Sequence, residues 1–151
     1  MKLIILDIDG VLVINYYINN LILNGKKTKD KFGSFFHPDS LNNLNEIIKE
    51  TNAKIVVSSQ WRLSGLNVMK RLFESRGILG EVIDITPILS EFPHTRDDEI
   101  RQWLETNGIP EKFVILDDMD IDEFPKSFFK INSRYGITDE IKNKIIKYLN
   151  S

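Results

Sequence analysis

Short apolar runs alternate along this chain with longer stretches whose apolar residues recur at helical spacing. Leu3-Ile4-Ile5-Leu6, Lys54-Ile55-Val56-Val57, Val82-Ile83-Asp84-Ile85, Phe113-Val114-Ile115-Leu116 and Phe128-Phe129-Lys130-Ile131 have strand length and strand composition. Three of them are almost continuously apolar, as expected of strands covered by helices on both faces. Between them, Leu41, Leu44, Ile47 and Ile48 form one helical stripe, and Leu66, Met69, Leu72 and Phe73 a second that stops at Gly77. Ile100, Trp103 and Leu104 form a third, with Thr95 and Asp98 at capping-box spacing before it and Gly108 and Pro110 after it. Ile141, Ile145 and Leu149 form the last, with Thr138 as its N-cap.

Strands alternating with helices predict an α/β fold: three layers, Rossmann-like, with a mostly parallel five-stranded sheet. Residues 15–38 break the rhythm. They hold Tyr16, Tyr17, the dipeptide Asn24-Gly25 and four lysines (Lys26, Lys27, Lys29, Lys31) before Phe32. Asn-Gly is the strongest short hairpin signal, so a flap hairpin is expected over about residues 12–36. No linker, repeat or low-complexity tract divides the chain, and a single domain over residues 1–151 is expected.

Composition narrows the chemistry. The absence of cysteine removes thiol nucleophiles, thiolate zinc sites and disulfides. Twenty Lys+Arg against 22 Asp+Glu give a formal charge of −2, so any nucleic-acid contact must be local. An early carboxylate at Asp7 interrupts any signal-peptide core, and no apolar run reaches membrane-spanning length. A cytoplasmic protein without membrane contact is expected. The acids are unevenly spread: Asp117, Asp118, Asp120, Asp122 and Glu123 fill five of seven positions.

Ligands of open α/β sheets bind outside the carboxyl ends of the strands. Three strands here end in polar clusters: Asp7-Ile8-Asp9-Gly10-Val11, Ser58-Ser59-Gln60-Trp61-Arg62 and Asp117-Asp118-Met119-Asp120-Ile121-Asp122. In a parallel sheet they converge on one edge. Several carboxylates meeting there repel each other unless a hard divalent cation with oxygen ligands joins them, and Mg²⁺ fits best. An EF-hand is excluded, because the glycine comes too soon and follows a strand.

The combination resembles the haloacid dehalogenase superfamily of phosphatases and phosphotransferases. Its first motif is present as Asp7-Ile8-Asp9-Gly10-Val11, its second as Ile55-Val56-Val57-Ser58, and its fourth as Leu116-Asp117-Asp118 with Asp122 downstream. The third, a cation near the start of a helix, is best matched by Arg96, with Lys126 and Lys112 as competitors. The resemblance implies that Asp7 is a nucleophile forming an aspartyl-phosphate and that Asp9 is the general acid and base. It implies that Ser58, or its neighbour Ser59, bonds a phosphoryl oxygen and that Arg96 offsets charge. Mg²⁺ would be held by Asp7, the Asp9 carbonyl and Asp118, with Asp117 and Asp122 as further ligands or supports.

The string Ser58-Ser59-Gln60-Trp61-Arg62, with Gly136-Ile137-Thr138, is similar to the phosphatase domain of bacterial RNA-repair proteins within this superfamily. That branch implies Arg62 as a phosphate clamp, Gly10 as part of the substrate cradle, and a phosphorylated nucleic-acid end as partner. The gaps 12–53 and 63–95 are too short for a cap domain, so an open site is expected. An aromatic set (Tyr16, Tyr17, Phe35, Phe36) beside the flap lysines offers a base-stacking surface, or simply the apolar face of the flap. A small-metabolite phosphatase and a phosphoacceptor signalling module are the competing readings. His37 and His94 lack a neighbouring ligand set and are expected to be structural or exposed.

Overall fold

The computed structural model describes all 151 residues. In chain order they form β1 (Lys2–Leu6), α1 (Asn15–Leu23), β2 (Lys29–Asp30), β3 (Gly33–Ser34), α2 (Pro38–Thr51), β4 (Lys54–Val57), a 3₁₀ turn (Gln60–Ser64), α3 (Leu66–Ser75), β5 (Val82–Ile85), α4 (Arg96–Asn107), β6 (Lys112–Asp117), β7 (Phe128–Lys130) and α5 (Asp139–Leu149). The five long-range strands make one parallel sheet in the order β5-β4-β1-β6-β7. The expected three-layer Rossmann-like architecture is therefore present.

Alternation along each strand builds two cores. Ile4, Leu6, Ile55, Val57, Val114 and Leu116 face α2, α3 and α5, meeting Leu44, Ile47, Leu72, Phe73, Ile145 and Leu149. Leu3, Ile5, Val56 and Ile115 face the other way, onto Ile100, Trp103 and Leu104 of α4. Both faces are dry, which is why the strands read as unbroken apolar runs. The capping box at Thr95–Asp98 and the N-cap at Thr138 form as the spacing predicts. Neither insertion builds a cap domain. No helix is long and apolar enough to cross a membrane.

The flap departs from expectation. Asn24-Gly25 does not turn a hairpin but stops helix α1. The Lys26 amide bonds the Leu21 carbonyl at 2.8 Å and the Gly25 amide bonds that of Ile22 at 3.0 Å, with Gly25 at φ +65°. That is a Schellman stop, which needs the same left-handed residue as a hairpin turn. The periodicity that decides the matter is Ile18, which packs onto the core from a helix. The true hairpin is smaller, β2 paired with β3, and turns at Lys31-Phe32 with the Phe32 amide bonded to Asp30 Oδ1 at 2.9 Å.

Candidate active site

Because β1, β4 and β6 are parallel neighbours, Asp7, Ser58 and Asp117 leave the sheet side by side. The Asp7 amide bonds the Leu116 carbonyl at 3.0 Å, and the Ser58 amide bonds the Leu6 carbonyl at 2.9 Å. Main-chain bonds thus fix the three polar ends before any side chain acts. After Asp7 the chain coils tightly. The amides of Leu12 and Val13 both bond the Ile8 carbonyl, at 2.8 and 3.0 Å, and Gly10 adopts φ +81°. A Cβ at Gly10 would lie 2.6 Å from Asp118 Cγ, so this position admits no side chain.

Arg96 is the third-motif cation that reaches the centre. From the first turn of α4 its guanidinium lies 3.2 Å from Asp7 Oδ2 and 2.8 Å from Asp117 Oδ2. Lys112 sits at the opposite end of the sheet, bonded to Ser151 Oγ at 3.0 Å, and Lys126 is exposed without an ion pair to either aspartate. Asp117 is fully buried, and its other oxygen accepts the Met119 amide at 2.9 Å. Both its oxygens are therefore committed to protein donors. Asp7 is engaged too, Oδ1 by the Ile8 amide at 2.8 Å and Oδ2 by Arg96, so the Asp118 carboxylate is the least committed of the three.

Carboxylate oxygens of Asp7, Asp117 and Asp118 all lie within 4.8 Å of one another. Burial foremost, and then the charge of Asp117, push Asp7 up to about 8 against the opposing pull of Arg96. Asp118 is raised as well, by burial and then Asp117, against a lowering hydrogen bond with Asp7. Burial pulls Arg96 down, but its bond to Asp117 and the charges of Asp117 and Asp7 hold it above its ordinary range. One guanidinium does not balance three carboxylates. The all-oxygen donor set and its excess negative charge fit Mg²⁺.

The two serines separate cleanly. Ser59 Oγ caps the 3₁₀ turn by accepting the Trp61 amide at 3.2 Å. Ser58 Oγ is buried and has no hydrogen-bond partner. A buried hydroxyl without a partner has a donor uncommitted within the protein. Asp9 stands apart from the buried carboxylates, exposed, with Oδ1 accepting the Trp61 indole N–H at 3.1 Å.

Trp61 as the support of Asp9 was not legible in the chain. Its ring is itself braced, since a Cβ at Gly33 in the small hairpin would lie 2.8 Å from Trp61 Cη2. Arg76 ties that hairpin down through Asp30 Oδ1 and the carbonyls of Ser34 and Gly33, at 2.8 to 3.0 Å. Only the placement of Asp9 and Trp61 just past adjacent strand ends hinted at the contact.

Three expectations need correction. Arg62 is not a phosphate clamp. Its side chain is 1% exposed, and it bonds the carbonyls of Thr86, Ser59 and Pro87 and, at 2.6 Å, Glu99 Oε2. A planar fork of donors suits a phosphate, but equally a ring of carbonyls. Asp122 is not among the clustered carboxylates. It is exposed on the loop after β6, where its amide and that of Glu123 donate to Asp97 Oδ2 at 2.9 and 3.1 Å. The stacking set also dissolves: Phe36 is buried, Tyr17 packs edge-on to His37, and Phe35 lies against Arg76. Tyr16 alone of the four is exposed. His37 caps α2 by accepting the Ser40 amide, and His94 bonds the Glu91 carbonyl, so both hold structure.

A family model for the HAD domain in Swiss Army Knife RNA repair proteins matches residues 3–141. No curated protein matches the chain. The match runs from β1 into α5 and contains every residue of the acidic centre. The chain belongs to the family of HAD domains found in Swiss Army Knife RNA repair proteins.

Proposed function

We propose that this protein is a phosphatase that hydrolyses phosphomonoesters through Asp7, acting on phosphorylated nucleic-acid ends. The carrying observation is the Asp7–Arg96 contact at 3.2 Å beside the unpartnered Ser58 hydroxyl. A carboxylate in contact with a fixed cation, with an uncommitted hydroxyl at the neighbouring strand end, supplies the nucleophile, charge compensation and donor that phosphoryl transfer uses. Family membership supports the substrate class, since these domains are named from RNA repair proteins.

Asp7 attacks phosphorus, and the bond from phosphorus to the leaving alcohol breaks. Asp9 donates a proton to that oxygen, then takes one from the water that cleaves the aspartyl-phosphate. Trp61 keeps Asp9 aimed while leaving its second oxygen free for the proton. Ser58 donates to a phosphoryl oxygen, and Arg96 offsets charge on the transferring group. Asp7, Asp118 and the Asp9 main-chain carbonyl would hold Mg²⁺, with Asp117 orienting Arg96. The cation supplies neutralisation of phosphate and carboxylate charge. With no cap over the sheet edge, a polymer end can enter.

Phosphate release measured with Mg²⁺ across 3′- and 5′-phosphorylated oligonucleotides, nucleoside monophosphates, sugar phosphates and phosphopeptides tests this reading. Oligonucleotide ends are expected to lead, and Asp7→Asn to abolish turnover. Sugar phosphates preferred by orders of magnitude would remove the nucleic-acid substrate. Full activity in Asp7→Asn would remove the nucleophile.

A further inference from the structure

Two depressions meet at the mouth of the site on the side of Asp9, and Tyr16 and Arg134 line both. The nearer, of about 620 Å³, runs from Asp9 and from Asp118 of the acidic centre past Asn15, Tyr16 and Asn19 to Arg134. Its size is that of a small-ligand site. Four of the six arginines, Arg62, Arg76, Arg96 and Arg101, are ion-paired to carboxylates. Arg134 has neither an ion pair nor a side-chain hydrogen bond. Its guanidinium lies 5.7 Å from the Tyr16 ring centre and 5.9 Å from that of Tyr135. Both rings are more than half exposed, at 61% and 56%.

This cluster is presented on a rigid mount. The Arg134 amide bonds Asn132 Oδ1 at 3.0 Å, and the amides of Tyr135 and Gly136 bond the Asn132 carbonyl. Gly136, at φ +71°, packs against Ser40, where any Cβ would overlap the hydroxyl. The Ile137 amide bonds Ser40 Oγ at 3.0 Å, and Asn43 Nδ2 donates to the Ile137 carbonyl at 2.7 Å. The Gly136-Ile137-Thr138 segment thus pins the β7–α5 turn to α2 and so aims Arg134 and Tyr135 outward. A free cation between two exposed rings, held by buried bonds, is a preorganised surface.

The geometry points to Tyr16, Arg134 and Tyr135 as the subsite for the leaving nucleoside of a polynucleotide, with Tyr16, which lines both depressions, stacking its base, Arg134 holding the next phosphodiester and Tyr135 flanking the guanidinium. The proposal rests on the hydrolase reading for one point only. Asp9 protonates the leaving oxygen, so the alcohol side of the substrate must lie where Asp9 opens to solvent. Every base offers a π-face, and an arginine fork suits a phosphodiester as well as a ring. Asn15 and Asn19 add neutral donors and acceptors along the same wall. The far end of the second depression carries Asp39 and Asp139, which disfavour a longer phosphate track there. The subsite therefore accommodates one nucleoside and one further phosphate.

Fluorescence anisotropy with a labelled, 3′-phosphorylated single-stranded oligoribonucleotide, using protein carrying Asp7→Asn, tests the contact without turnover. Adding Tyr16→Ala or Arg134→Ala is expected to weaken binding about tenfold, whereas Tyr16→Phe stays within about twofold. In catalytically intact protein, the ratio of kcat/KM for that oligonucleotide to kcat/KM for glycerol phosphate is expected to fall about tenfold with either alanine. Binding unaffected by both alanines would overturn the subsite, as would an oligonucleotide bound no more tightly than inorganic phosphate. Failure of every ester to be hydrolysed would overturn the hydrolase reading alone, because the binding comparison is read independently. Thermal melts of the variants separate lost contacts from lost fold.

Discussion

Glu99→Ala is expected to expose how far the site depends on an ion pair that touches no substrate. Glu99 lies on α4 three residues after Arg96, and its Oε2 is 2.6 Å from Arg62 Nη2, with the two side chains only 8% and 1% exposed. Removing the carboxylate leaves a buried guanidinium without its counter-charge, which typically costs about 3–5 kcal/mol. Arg62 keeps its bonds to the carbonyls of Thr86, Ser59 and Pro87, so the lower end, about 3 kcal/mol, is expected. At roughly 2–4 °C per kcal/mol for a chain of this length, melting should fall by about 6–12 °C. The double variant Arg62→Met with Glu99→Leu should lose less than the two singles together, because no charge is stranded, although the carbonyls of Thr86, Ser59 and Pro87 lose their donor. The pair also joins the Ser58-Ser59 loop to the helix bearing Arg96. Displacing a positioned group by about 1 Å can cost roughly 10²-fold in rate, so kcat/KM should fall more than stability alone explains. Circular-dichroism melts and phosphate release, measured on single and double variants, decide the matter. A Glu99→Ala melt within about 2 °C of the parent would refute the reasoning, as would a double variant that simply sums the singles.

The charge arrangement at the centre leads to two more tests. Asp7 has a folded pKa of about 8, above its ordinary 3.8. The native state therefore binds the extra proton, and the stability this contributes is fully present below pH 4 and lost as pH rises through about 8. Metal-free protein should accordingly lose melting temperature between about pH 4 and pH 8 through this group, with no further loss from it above that range. Asp7→Asn should flatten that slope, and Mg²⁺ should reverse it in the parent but not in the variant; parallel slopes in parent and variant would contradict the assignment. Arg96→Ala is expected to lower kcat by about 10²–10³-fold, with Arg96→Lys recovering part of it. Equal rates in Arg96→Ala and Lys112→Ala would move the cationic role elsewhere.

Much of this was legible in the chain for one physical reason. Parallel strands in an α/β sheet deliver their carboxyl ends to one edge, so apolar runs ending in Asp7, Ser58 and Asp117 locate a centre before any coordinates exist. Helix ends were legible for a similar reason, as Thr95 with Asp98, Gly77 and Thr138 act through bonds to their own neighbours. Asn24-Gly25 signals the right conformation but not its context, because a hairpin turn and a Schellman stop demand the same left-handed glycine.

What only the tertiary structure decided concerns direction. Arg62 and Arg96 are chemically identical, and both stand just past strand or loop boundaries. The fold turns one inward onto carbonyls and Glu99 and the other onto Asp7 and Asp117. Asp118 and Asp122 differ likewise, since the β6 loop carries the second away toward Asp97. Contacts between distant segments were beyond local pattern altogether: Trp61 on Asp9, the small hairpin on Trp61, Arg134 over Tyr16. Local sequence sets backbone torsions and caps through neighbours a few residues away. The aim of a long side chain is set by whichever buried partner the packed layers bring within reach, and that partner is 37 residues away for Arg62. The sequence by itself therefore determined the sheet and the strand ends that carry the acids. The packing of α4 against that sheet decided which cation serves them.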